Sequence, residues 1–214
     1  MGRLDAAPRC GAQMLGNRIT PAAGPCHDRR VGKLHESIEG RLRDFLLQQH
    51  VFFVATAPSG VDGHVNVSPK GMTGTFAVLG PRRVAYLDYT GSGAETIAHL
   101  RDNGRITLMF CAFGGPPTIV RLHGRGQVVV PADPRFGPLR DAFPPHNPHG
   151  LRAIIEVEVT RISDSCGFAV PLMAYQGDRD LLDQWAARKS QADLVAYRAE
   201  RNASSIDGLP ALAD

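Results

Sequence analysis

The chain has 214 residues, 43% apolar and 21% charged, with a formal net charge of +3. That is ordinary globular composition, and the length fits one domain with or without a tail. No apolar run approaches the roughly 18 residues of a membrane helix, so no membrane partner is expected.

The first residues, MGRLDAAPRCGAQMLGNR, lack the apolar stretch of a secretory signal. Cys10, Cys26, Cys111 and Cys166 form no C-x-x-C pair. That spacing argues against a metal module and a disulfide scaffold, and the expected location is a reducing cytoplasm. Residues 1–35 hold six Arg or Lys against two Asp or Glu, whereas residues 36–214 hold eighteen against nineteen. The body is therefore close to neutral, and no nucleic-acid partner is expected.

Residues 1–32 read as a disordered leader, with Pro8, Pro21 and Pro25 and no periodic apolar pattern. Val31 is a residue type that bacterial genes can use as a start, and the leader is expected to be extra translated sequence. The folded body is expected over 33–163. Leu34, Ile38, Leu42, Phe45 and Leu46 fall at helical spacing and predict a helix over 34–49. Val51 to Ala57 is β-branched and aromatic, as in a buried strand. Turn residues 58–63 lead into a returning strand at His64–Ser68, so a hairpin is expected. Strands follow near 73–78 and 83–89, then a short helix over 93–103 and a strand from Arg105 to Cys111.

Alternation is clearest in the next two strands. Over 119–130, Val120, Leu122, Val128 and Val130 share a face with Gly124 and Gly126, opposite Arg121, His123, Arg125 and Gln127. Over 151–160, Leu151, Ala153, Ile155, Val157 and Val159 oppose Arg152, Glu156, Glu158 and Thr160. Such period-two patterning predicts a sheet packed on one face and wet on the other. About seven strands with few helices point to a closed or split barrel. Residues 164–203 are expected to form a C-terminal loop and helix, packing on the barrel or on a partner copy. The end is expected to fray from residue 202, leaving 204–214 as a tail.

Two stretches carry candidate chemistry. Asn66-Val67-Ser68-Pro69-Lys70-Gly71 places one of only three lysines after a strand, beside a serine, in a chain with twenty-one arginines. A compact ammonium next to a hydroxyl suits a phosphate or another anion; the alternative is a solvated turn lysine. Asp88 to Thr96 runs from a strand end through Gly91 and Gly93 into a helix start, where free N–H groups can bind an anion. Thr90, Ser92 and Thr96 add hydroxyls, although Ser92 and Glu95 also have capping-box spacing. Cys166 is expected to be a small buried thiol, and His123, His146 and His149 to be surface or packing residues. Trp185 is expected to make a core or dimer contact.

The order V-F-F-V-A-T, N-V-S-P-K-G, V-A-Y-L-D, T-G-S-G-x-E-T and N-G-R-I-T-L-M-F resembles the pyridoxamine 5'-phosphate oxidase-like family of flavin-binding split barrels. The resemblance runs from about Lys33 to Val130, with S-C-G-F-A-V-P as a mark of one branch. It implies a mainly β (α+β) fold: a six- to seven-stranded antiparallel split barrel with short flanking helices. It also implies a homodimer with FMN in a groove between two barrels. Ser68, Lys70, Thr90, Ser92 and Thr96 would then hold the phosphate, helped by Arg121 or Arg82, while Asn66 and Tyr89 approach the ring system. The true oxidases carry an Arg-Lys pair early in the short helix, where this chain has Glu95-Thr96, so a substrate other than pyridoxamine phosphate is implied. The expected activity is that of an FMN-dependent oxidoreductase on a small molecule. A non-catalytic flavin store or sensor, or a deazaflavin- or haem-binding protein on the same fold, remains as an alternative.

Overall fold

The long β-branched runs of this chain form one antiparallel sheet. A computed structural model describes residues 32–212; the leader and its two cysteines, the start near Val31 and the final two residues lie outside them. Among the described residues eight strands form: β1 (Leu34–His35), β2 (Phe52–Thr56), β3 (Asn66–Lys70), β4 (Phe76–Gly80), β5 (Arg83–Tyr89), β6 (Arg105–Cys111), β7 (Ile119–Val129) and β8 (Leu151–Ser165). Five helices accompany them: α1 (Gly40–Gln48), α2 (Glu95–Asp102), α3 (Phe136–Arg140), α4 (Leu181–Ala187) and α5 (Gln191–Arg201). The strand order is β3-β2-β6-β7-β8-β5-β4, with β1 added to β8. β3 and β4 end this path without pairing to each other, so the barrel is split.

The inner face holds the main core. Val54, Val84, Tyr86, Leu108, Phe110, Leu122, Ile155 and Val157 pack there with Ile97, Ala98 and Leu100 of α2. Gly126 on β7 is what lets α2 sit so close, since a Cβ there would lie 2.8 Å from the Leu100 side chain. That seat holds the second turn of α2 against the sheet.

Several elements depart from the sequence expectation. The helix begins at Gly40 rather than at residue 34, and Leu34 pairs with Ser163 in a two-residue strand instead. The strand expected at 73–78 runs over 76–80. The wet outer face is only partly wet. Ala85, Leu87, Val129, Leu139, Phe143, Leu151 and Ile154 form a second apolar cluster there, with α3, which the pattern did not announce, supplying Leu139. The register of β8 slips where Asp88 pairs with Ala153 but Tyr89 pairs with Leu151. A bulge re-aims the side chains around it, so Leu151 joins the second cluster and Arg152 is buried rather than solvated. The end expected to fray also packs: Ala211 is fully buried in the main core, and Leu209 and Leu212 lie against it. Among the described residues no helix is long and apolar enough to cross a membrane.

Candidate functional site

Strand β3 is the polar end of an otherwise apolar inner face. Lys70 pairs with Phe52, Ser68 with Val54 and Asn66 with Thr56. Directly paired residues share a face, so these three polar side chains point the same way as the core residues of β2. Among the described residues no further strand lies beyond β3, and the three border open space. That space is a cavity of about 830 Å³, within the range of small-ligand sites.

Asn66, Ser68 and Lys70 form one wall of it, and Gly91, Ser92, Gly93, Ala94 and Thr96 form the facing wall. The two walls touch. The Asn66 amide donates to the Thr96 hydroxyl at 3.2 Å, and the Ser68 hydroxyl donates to Asn66 Oδ1 at 3.2 Å. Thr56 meets His99 Nδ1 at 3.0 Å behind them, which anchors this polar row to α2.

Lys70 does not stand alone. Its ammonium donates to Asp88 Oδ1 at 2.8 Å, and Arg152 Nε donates to Asp88 Oδ2 at the same distance. Asp88 is only 2% exposed. Burial works against its carboxylate, but the charges of Lys70 and then Arg152, with the hydrogen bonds both donate, overcome it and hold the pKa below the usual range. Two cations against one anion leave the cluster one positive charge. Lys70 is the partly exposed member and can present that charge to the cavity.

The facing wall is held from behind. Arg152 Nη2 donates to the Gly93 carbonyl at 2.8 Å, and Arg152 Nη1 to Asn202 Oδ1 at 2.9 Å. The capping box expected between Ser92 and Glu95 does not form. The N-cap of α2 is Ala94, which has no capping side chain, and the Glu95 carboxylate instead accepts the Ile206 N–H at 3.2 Å.

Of the expected site residues, Asn66, Ser68, Lys70, Tyr89, Ser92 and Thr96 line this one cavity. Two do not. Thr90 is buried and donates its hydroxyl to the Gly150 carbonyl at 2.8 Å, a structural use. Arg121 sits on the outer side of β7 and donates to Ser165 Oγ at 3.1 Å. Arg82 likewise serves the carbonyls of Val159 and Thr160. Arg152 is the residue that sequence reasoning missed, because its alternation placed it with Glu156 and Glu158. Cys166 is exposed rather than buried. Trp185 stands edge-on to Tyr197 at 5.0 Å, away from the cavity lining.

The far side of the cavity carries aromatic and aliphatic surface beside the charged Asp178 and Arg179. Tyr175 stacks on His50 with ring centres 3.5 Å apart and planes 2° from parallel. The segment carrying Tyr175 is fastened by Asp178, which accepts the Thr73 N–H at 2.8 Å. Leu181 and Leu182 continue the wall. The site thus offers cations and hydroxyls at one end and flat or aliphatic surface at the other.

Residues 38–166 match the family model described as pyridoxamine 5'-phosphate oxidase. A pyridoxamine 5'-phosphate oxidase family protein of Aspergillus flavus, ustO, is 41% identical over 192 residues, spanning 83% of this chain and 77% of that protein. Three solved structures are more distantly similar. HupZ of Group A Streptococcus is 20% identical, with TM-score 0.41, covering 56% of this chain and 86% of that one. An FAD-binding protein of Mesorhizobium loti is 16% identical, with TM-score 0.41, covering 59% and 94%. An FMN-binding protein of Syntrophomonas wolfei is 12% identical, with TM-score 0.40, covering 56% and 78%. On the family match and the identity to the fungal protein, this chain belongs to the pyridoxamine 5'-phosphate oxidase family.

Proposed function

We propose that the protein binds FMN in the cavity between β3 and the 90–96 loop, and acts as an oxidoreductase on a small molecule. The observation that carries the proposal is the meeting of Ser68, Lys70, Ser92 and Thr96 on one cavity, next to aromatic and aliphatic surface. A flavin mononucleotide has those two halves, an anionic end and a flat ring system. The residues fit both. Lys70 with its share of the Asp88 cluster would meet the phosphate charge, and the hydroxyls of Ser68, Ser92 and Thr96 would add neutral donors. The Glu95 carboxylate also lines the cavity and is turned to the Ile206 N–H, which it accepts.

The remaining residues orient the ligand. Asn66 is held by Thr96 and Ser68 with its amide fixed, so it can hold a ring edge without reordering. Tyr89, whose hydroxyl donates to the Asn147 carbonyl at 2.9 Å, lines the same cavity as a fixed flat surface. The His50–Tyr175 stack and Leu181 offer aromatic and aliphatic surface to the ring system. When bound, the flavin supplies hydride transfer at its ring. This chain supplies the anion seat, the slot and the hydrogen bonds around it. No general acid or base is required of the side chains.

A homodimer belongs to the same proposal. Val65 and Val67 on the open β3 edge are 71% and 60% exposed, and Phe168 and Leu172 are 83% and 81% exposed. Exposed apolar side chains of this kind suit a partner surface.

The test begins with the absorption spectrum of the purified protein. It should show the paired near-ultraviolet and blue bands of oxidised flavin, or acquire them on adding FMN. Photoreduction without oxygen, followed by mixing with candidate acceptors, should then give reoxidation that depends on the acceptor. A protein that takes up no FMN contradicts the binding; a loaded protein inert to every acceptor is the store or sensor instead.

A further inference from the structure

The family match ends at residue 166, yet the wall that faces β3 is held by residues well beyond it. We infer that Asn202, with Arg198, positions the 90–94 loop for the ligand's anionic end. The inference rests on the flavin reading above.

Four tethers reach this loop from the C-terminal segment or through it. Arg198 Nε donates to Thr90 Oγ1 at 3.0 Å. Asn202 Nδ2 donates to the Gly91 carbonyl at 3.0 Å. Arg152 donates to the Gly93 carbonyl while Asn202 Oδ1 holds the same guanidinium. The Ile206 N–H closes on Glu95. Asn202 is completely buried, and both ends of its amide are used, so it joins the loop to the Lys70–Asp88–Arg152 cluster.

The pattern of atoms matters more than the number of bonds. Every tether falls on an oxygen: a hydroxyl, two carbonyls and a carboxylate. Among the described residues no hydrogen bond takes the backbone N–H of Gly91, Ser92 or Gly93, and none holds the Ser92 side chain. Thr90 spends its N–H and its hydroxyl on the Gly150 carbonyl, but Gly91 and Gly93 are held through their carbonyls while the donors of residues 91–93 stay available to an anion. Gly91 and Gly93 would otherwise make this the most freely moving stretch of the wall, since glycine loses most freedom on ordering. A ligand that had to freeze it would bind more weakly.

A tail that merely buttresses the barrel would affect all ligands alike, whereas a positioning role must favour the phosphate. The experiment measures FMN and riboflavin affinities by fluorescence quenching for the wild type, Asn202→Ala and Arg198→Ala, with a thermal melt of each. The wild type should prefer FMN. Asn202→Ala should lose about tenfold in FMN affinity with riboflavin affinity nearly unchanged, and Arg198→Ala about threefold. FMN affinity equal to wild type in both variants, or equal losses for the two ligands, overturns the inference while leaving the flavin reading intact. A wild type that binds neither ligand overturns both. Should Asn202→Ala fail to fold, the half-exposed Arg198 decides the matter on the same criterion.

Discussion

The two walls of the cavity are built in opposite ways. The β3 wall is an edge strand paired on one side only, and it offers side chains at alternate positions: Asn66, Ser68 and Lys70. The 90–96 wall offers mostly backbone and small hydroxyls, and it is pinned by groups from β8, α5 and the C-terminal segment. One wall is specific through what its side chains are; the other works through where its backbone is kept. The difference teaches where damage should appear. Changes on β3 should alter binding directly, and changes behind the loop should alter the fold and, through the loop's placement, the binding.

The largest effect should come from Arg152→Met. It removes one of two cations from a buried carboxylate and unties both Gly93 and Asn202. Breaking a buried charge pair typically costs about 3–5 kcal/mol, and urea unfolding should show a loss of that size. A loss below about 1 kcal/mol, the range of a solvent-exposed pair, would deny that the loop wall is the structural one.

Acid should find the same cluster. Asp88 holds its proton less tightly folded than unfolded. Its contribution to stability is therefore complete above the unfolded value of 3.8, and is lost as the pH falls through the lower folded value. Asp88→Asn should flatten the acid limb of a stability-against-pH curve. An unchanged limb would mean that other carboxylates set it.

On the β3 wall, Ser68→Ala should weaken FMN binding by about 0.5–1.5 kcal/mol, the net value of a neutral hydrogen bond, while leaving the melting temperature nearly unchanged. A clear drop in melting temperature would show that this wall too is structural. The smallest effect belongs to His64, whose ring pairs with Asp207 Oδ1 at 2.7 Å. Hydrogen bonding to Asp207, and then its charge, raise the His64 pKa from 6.5. The contribution is whole below 6.5 and fades as the pH rises through the folded value, so His64→Gln should remove a slight alkaline loss of stability.

The same contrast explains what could be read in advance. Ser68 and Lys70 were legible because their chemistry is local: a rare lysine stands beside a serine at a strand end, although the strand runs on through Lys70, past the end at Ser68 that the sequence pattern predicts. The 83–89 and 105–111 strands were legible as short, mostly apolar runs. Arg152 was not. Its burial depends on a bulge in the pairing with β5, and its partner Asp88 lies 64 residues away. Thr90 looked like a ligand donor because a hydroxyl in a glycine-rich turn has no visible partner in sequence; the Gly150 carbonyl that takes it lies 60 residues away. Arg121 shared a strand face with other cations, but strand phase alone does not say which face borders the cavity. The C-terminal end was misread as frayed because its apolar residues, Leu209, Ala211 and Leu212, are few and aperiodic. They become a packing surface only against a core already formed.

The central claim is that Lys70 presents the net charge of a buried cluster to a nucleotide's phosphate. Titrating FMN and riboflavin against the wild type and Lys70→Ala tests it most directly. The account predicts that the wild type prefers FMN, and that Lys70→Ala loses about 1.5–3 kcal/mol of FMN binding with little change for riboflavin. A Lys70→Ala protein that keeps the full preference for FMN would contradict it.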